Sequence, residues 1–118
     1  MIEKWLQEIK KDANSDKLGM ILIHNGIVRS KSKDGRTVTG MNLSYDKDKL
    51  NQLVERMKNT EGIYAIRVWI NEGNLKVGDD IMYVLVAGRF RKIVIPVFEE
   101  LVSKIKNEIV SENEYYTT

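Results

Sequence analysis

The chain has 118 residues, 42% of them hydrophobic and 31% charged, with a net charge of +2, one histidine and no cysteine. That length suits one domain around a single core, with one site or a site shared between subunits, and charge so near balance argues against nucleic-acid binding by bulk electrostatics. Without cysteine there are no disulfides, thiolate metal ligands or Cys nucleophile, and a single histidine speaks against a histidine-built metal site or a Ser-His-Asp triad.

In chain order, Ile2, Trp5, Leu6 and Ile9 recur at helical spacing with Glu3, Lys4, Gln7 and Glu8 between them, which predicts a short amphipathic helix laid on a sheet. The same opening, MIEKWLQEIKKD, is too charged for a signal peptide, and no apolar run approaches the ~20 residues of a membrane span, so a cytoplasmic protein is expected. Asn14, Ser15 and Asp16 favour a turn. LGMILIHNGIV then reads as a strand, apolar on both faces over Met20 to Ile23 and therefore expected at the centre of a sheet, with Asn25 and Gly26 marking a bulge or a close backbone approach.

Arg29 to Arg36, RSKSKDGR, has no apolar residue and an excess of cations over its one acid. It predicts an exposed, mobile hairpin loop with Asp34-Gly35 at the tip, either a solvated turn or a lid over an anion. TVTGMNLSY is the returning strand, Asp46 an N-cap, and Leu50, Leu53, Val54 and Met57 the core stripe of a second helix. Gly62 restarts the chain into the strand Ile63 to Ile70.

The stretch WINEGNLKVGDDIMYVLVAGRFR, Trp69 to Arg91, organises the rest. Gly73, Asn74, Gly78, Asp79 and Asp80 supply the turn chemistry of an ordered loop, and Ile81 to Ala87 is the next strand. Arg89, Arg91 and Lys92 then crowd three cations where a helix begins; the dipole there disfavours cations unless an anion sits nearby, which makes the spot worth testing for an anionic ligand. The longest helix is expected over about Lys92 to Glu108, with Pro96 in its first turn and Lys104 and Lys106 near its C-terminal end. SENEYYTT carries no helical stripe and reads as a flexible tail or a segment that pairs with a partner. The order αββαββα makes an α+β domain, four strands and three helices, its antiparallel or mixed sheet covered mainly on one face.

With the elements in this order, the chain resembles the MoaE-type family, the large, catalytic subunit of molybdopterin synthase. GMILIHNGIVR is similar to the family's Gly-Ala-Val-Val-x-Phe-x-Gly-x-Val-Arg segment through Gly19, Gly26, Val28 and Arg29. EGNLKVGDDIMYVLV is similar to its Gly-x-Leu-x-x-Gly-Asp/Glu block through Gly73, Leu75, Gly78, Asp79 and Asp80, and FRKIVIPVFEELVSKIK resembles the helix after its His-Arg pair. The resemblance implies an α/β hammerhead-like fold and a homodimer inside a heterotetramer with a small ubiquitin-like (MoaD-like) subunit. That subunit's C-terminal thiocarboxylate would donate sulfur to cyclic pyranopterin monophosphate, forming the molybdopterin dithiolene. It implies no cofactor or metal of the chain's own, no membrane and no nucleic acid.

Position by position, the resemblance puts Lys106 beside the thiocarboxylate as the catalytic lysine and Arg29 and Arg91 on the substrate anion; Arg36 of the basic loop and Lys92 at the helix start are the further anion-binding cations that the residues themselves suggest. The chain departs from the family's pattern at Phe90, where the family has histidine, at Asn71 in the stretch replacing its His-Arg-x-Gly, and at Asn113, where a second lysine falls without a gap; His24 takes the place of an aromatic. A non-catalytic module that binds a ubiquitin-like partner or a phosphorylated pterin is the alternative. An unrelated α+β domain, its basic loop binding phosphate groups or RNA, is a third; steep salt dependence would mark it. Dimerisation is expected at a sheet edge or around Trp69.

Overall fold

The computed structural model describes residues 1–12 and 16–117. The chain runs α1 (Ile2–Asp12), β1 (Met20–Ile27), β2 (Val38–Tyr45), α2 (Lys47–Lys58), β3 (Ile63–Ile70), β4 (Gly73–Lys76), β5 (Asp80–Gly88), α3 (Arg91–Lys104), a π turn (Ile105–Ile109) and β6 (Val110–Tyr116). The turn expected at Asn14 and Ser15 falls outside the described residues.

The strands form two antiparallel three-stranded sheets, ordered β1-β5-β3 and β4-β2-β6. The architecture is α+β as expected, but one sheet of four strands becomes two sheets. Two elements account for the difference. β4, Gly-Asn-Leu-Lys, is four residues with one apolar side chain, too short to register as periodicity. β6 alternates, but turns Val110, Glu112, Glu114 and Tyr116 to the less exposed side, so two acids occupy places where a strand normally shows hydrophobes. The segment read as a loose or partnered tail is thus a strand on β2, Tyr45 opposite Val110 and Val38 opposite Tyr116.

The central strand is β5, not β1. Its side chains are apolar in both directions: Met82, Val84 and Val86 enter the main core with α2 and α3, while Leu85 and Ala87 meet Ile9, Trp5 and Leu6 of α1. β1 is apolar over Met20 to Ile23 yet lies at the edge, with Ile23 38% and Ile27 49% exposed. Both faces of this sheet therefore carry helices, the α1 face a thin layer and the α2/α3 face the main core. Near the end of β1 the register shifts between Gly26 and Ile27, the irregularity expected at Asn25-Gly26.

Asp46 caps α2, its carboxylate accepting from the Lys49 amide at 3.0 Å. α3 begins at Arg91, so Pro96 lies in the second turn rather than the first, and the helix forgoes the bond that an amide there would give the Lys92 carbonyl. β5 packs closely on the turn before β3 and on α3: an added Cβ on Gly88 would lie 2.4 Å from the Gly62 carbonyl oxygen and 2.7 Å from Val94 Cγ2. The helix also ends early, at Lys104, where five residues wind into the π turn before β6.

Candidate active site

Each cation singled out in the sequence is exposed or half-exposed, but they occupy two ends of the molecule. β5 runs from Asp80, opposite Ile27 of β1, to Gly88, opposite Met20. Arg29 therefore leaves the Asp80 end, where the Val28 amide donates to the Asp79 carbonyl at 3.0 Å. Arg91 and Lys92 open α3 at the Gly88 end, and α3 runs back across β5 and β1. Fifteen positions at ~1.5 Å each separate Arg91 from Lys106 by roughly 22 Å. Arg29 lies past the Asp80 end of the sheet, Arg89, Arg91 and Lys92 lie at the Gly88 end, and Lys106 lies beyond the opposite end of α3 from Arg91.

At the Gly88 end the surface is open and basic. Phe90, in the place of the family's histidine, precedes the first residue of α3 and is 62% exposed, with the Arg89 guanidinium 5.9 Å from its ring centre. No side chain caps this helix and no acid lies in its first turn. A cleft of about 410 Å³ lined by Asp16, Leu18, Gly19, Arg89 and Phe90 adjoins it, and another of about 380 Å³ lies among Lys17, Gly62, Ile63, Tyr64 and Arg89. Among the described residues, neither Arg91 nor Lys92 has an acidic partner within 4.0 Å.

At the other end Lys106 projects from the π turn. A π turn adds a residue to the helical circuit and rotates the side chains that follow it, which re-aims them relative to a regular helix. Lys104, still in α3, stays on the helix surface, 4.0 Å from Glu100 and 3.8 Å from Glu108. Lys106 instead reaches β6, its Nζ donating to Glu112 Oε1 at 2.7 Å. It is not buried: its side chain is 41% exposed and that of Glu112 22%.

His24 faces the same side. It alternates with Met20 and Leu22 on the core face of β1, and a Cβ on Gly26 would lie 3.3 Å from its Nε2, so the glycine leaves room for the imidazole. Partial burial and the positive charge of Lys106 hold the His24 pKa below its ordinary value, favouring the neutral ring. Neutral imidazole can take a proton; the Lys106 ammonium can hold an anion and give one.

Glu112 was not foreseen in the sequence. The residue expected near Lys106 was Asn113, but β6 turns Asn113 to its more exposed side, opposite Asn42, whose amide bonds Asn74 at 3.0 Å. The signal lay in the alternation Val110, Glu112, Glu114, Tyr116, which puts Glu112 rather than Asn113 on the inner side once the segment is a strand. Asn71, another departure, donates to the Asp80 carbonyl at 2.9 Å and braces the entry to β5.

The basic hairpin is ordered by its own residues. The Ser32 hydroxyl and the Arg36 Nε, the latter at 2.9 Å, both donate to Asp34. Gly35 takes φ +86°, and Lys31 bridges Thr37. Ser32 and Arg36 hold the Asp34 carboxyl down at about 2. Arg36 also lies over Tyr116, so both sides of its guanidinium serve the hairpin. On the α1 face, Trp69 is half-buried with its ring 4.8 Å from Tyr83, whose hydroxyl donates to Asp80.

A family model described as MoaE protein matches residues 3–108. The chain belongs to the MoaE family. A relative in Methanocaldococcus jannaschii, an uncharacterised protein, is 32% identical over 94 residues, covering 76% of this chain and 79% of its own. The fold is that of solved MoaE structures. Molybdopterin synthase from Staphylococcus aureus superposes with a TM-score of 0.76 at 18% identity, covering 95% of this chain and 84% of that one. A complex of subunits 1 and 2 of molybdopterin-converting factor from Helicobacter pylori gives 0.72 at 16%, covering 98% and 78%, and a MoaE protein from Burkholderia ambifaria gives 0.73 at 15%, covering 100% and 85%. Membership of the MoaE family supports a role in molybdenum cofactor biosynthesis. Among the described residues no helix of this MoaE chain is long and apolar enough to cross a membrane.

Proposed function

We propose that this MoaE chain is the large subunit of a molybdopterin synthase, transferring sulfur from the thiocarboxylated C-terminus of a ubiquitin-like small subunit to cyclic pyranopterin monophosphate. The observation that carries the reading is Lys106, turned out of the helix surface by the π turn, with His24 on the neighbouring strand. The ammonium of Lys106 pairs with the thiocarboxylate. The thiocarboxylate sulfur bonds to a pterin side-chain carbon as that carbon's bond to oxygen breaks, the departing oxygen taking up a proton. Water then adds to the acyl carbon of the resulting thioester, the acyl–sulfur bond breaks, the sulfur stays on the pterin as a thiolate, and the tail leaves as a carboxylate. His24 is placed to accept the proton released by that water. The absence of cysteine fits a reaction whose sulfur arrives on a partner. The Helicobacter pylori complex of two converting-factor subunits supports such a partner.

The separation of roughly 22 Å between Arg91 and Lys106 has a consequence for assembly. One phosphate-bearing pterin does not span it, so Arg91 and Lys92 serve the reaction only if a second copy brings its Gly88 end beside the Lys106 of the first. Arg29 supplies the anion contact from within the same copy. A homodimer with two composite sites, each taking one small subunit, meets that need. Arg36, engaged by Asp34 and Tyr116, holds the hairpin rather than the substrate.

The test is turnover with a thiocarboxylated small subunit and the cyclic pterin, read as dithiolene product. Lys106→Ala is expected to abolish product while leaving the melting curve intact; retained turnover removes Lys106 from the mechanism. A second reading is favoured by Phe90 and Glu112, a hydrophobe and an acid where a working site wants a base and a cation: a MoaE module that docks the partner without catalysis. Tight small-subunit binding with no product from the native chain selects it.

A further inference from the structure

Glu112 is the one acid within 4.0 Å of Lys106 among the described residues, and its position is built rather than incidental. It stands on the inner side of β6, directly opposite Leu43, which is 1% exposed. An acid beside a buried leucine is costly unless a cation answers it, and the π turn is what swings Lys106 to that duty. The next inner acid, Glu114, is occupied elsewhere, accepting from the Tyr116 hydroxyl at 3.0 Å. His24 faces Lys106 from β1 and, being neutral by preference, does not compete for the ammonium's anion. The space around Lys106 therefore holds one ammonium and one carboxylate, matched.

We propose that Glu112 is an internal stand-in for the partner's C-terminal tail, occupying Lys106 until an incoming carboxylate or thiocarboxylate replaces it. This rests on the reading of Lys106 as the tail's binding group. The exchange is carboxylate for carboxylate: Lys106 keeps one anionic partner, and the displaced Glu112 carboxylate stays beside it as a second negative charge. A half-exposed pair adds little to folding, but it sets a threshold for binding: the arriving anion must displace Glu112 and then sit beside it. The device filters ligands by what else they bring. A free small anion gains nothing beyond the exchange, whereas a tail fixed to a docked protein adds the contacts of the whole surface. Weak anions are kept off the lysine, and the lysine is released on docking.

The experiment compares calorimetric binding of the carboxylate-ended small subunit, and of the same subunit shortened by its last two residues, to the native chain, to Glu112→Gln and to the double variant Lys106→Gln/Glu112→Gln. Glu112→Gln should tighten binding of the full subunit about tenfold, from a freed ammonium and one less repulsive charge. It should leave the shortened subunit unchanged, and the gain should vanish in the double variant. Unchanged or weaker binding of the full subunit by Glu112→Gln, or equal tightening of both forms, overturns the proposal. If the native chain and Glu112→Gln both fail to bind either form, the partner reading has failed. The pairing itself is read separately from the ¹³C-methyl signal of reductively dimethylated Lys106. In Glu112→Gln that signal should move to the position of the exposed lysines; a signal that stays put shows that Glu112 does not hold Lys106, and the stand-in is lost with it.

Discussion

The guanidinium of Arg36 lies 3.8 Å above the ring of Tyr116, fastening the basic hairpin between β1 and β2 to the far end of β6. The contact is cation to aromatic face, worth about 0.5–1 kcal/mol at an exposed site. It works beside the Asp34 pair, so the hairpin is held from its tip and from its flank. Tyr116→Leu keeps an apolar side chain at the inner end of β6 but removes the ring. The expected outcome is faster hydrogen exchange at the Gly35 amide, which donates to the Ser32 carbonyl at 3.0 Å, with the exchange of β5 unchanged.

His24 makes stability depend on pH in a definite direction. Its pKa is lowered in the folded chain, first by burial and then by Lys106, from an ordinary value of 6.5. Between the folded and unfolded values the unfolded chain binds more protons, so stability falls as pH drops below 6.5. His24 is the chain's one histidine, so the effect is separable. Urea unfolding at about pH 7.5 and about pH 5.5 should show the loss in the native protein. His24→Phe should remove the part of the loss that begins near neutrality.

Gly88 is a packing requirement. With the Gly62 carbonyl at 2.4 Å and Val94 Cγ2 at 2.7 Å from an added Cβ, Gly88→Ala pushes β5 and the start of α3 away from the turn before β3. A cost of about 2–3 kcal/mol is expected, or a fall in Tm of about 10 °C by thermal melt. Because Arg89, Phe90 and Arg91 follow directly, the same variant should weaken any anion binding at that end of the molecule.

The helices and long strands were legible because their side chains obey a single rule each. Ile2, Trp5, Leu6 and Ile9 repeat at helical spacing and do cover a sheet face; Asp46 is the cap its type and place announce. Rank within a sheet was not legible. Met20 to Ile23 and Ile81 to Ala87 look equally apolar, but only the second run is covered on both sides, and no local pattern records how many neighbours a strand will have. β6 escaped because its inner side uses glutamates whose charge is answered by Lys106 and by the Tyr116 hydroxyl, partners set in place by the fold. The site suffered for the same reason: reading Lys106 as the end of a helix pointed to Asn113, and the π turn with the strand after it substitutes Glu112.

The pairing of β2 with β6 also orders events in time. The Thr39 hydroxyl donates to the Tyr115 carbonyl across 76 positions of sequence, and the Asp46 amide, at the head of α2, donates to the Ile109 carbonyl. On a ribosome, which delivers the chain from its N-terminus, β2 emerges long before the strand that will flank it. Until then one edge of β2 stands open beside Met41 and Leu43, which the finished fold buries. The nascent chain must carry that open edge through most of its synthesis, and the turn bearing Lys106 takes its final shape only when the strand that closes the edge has arrived.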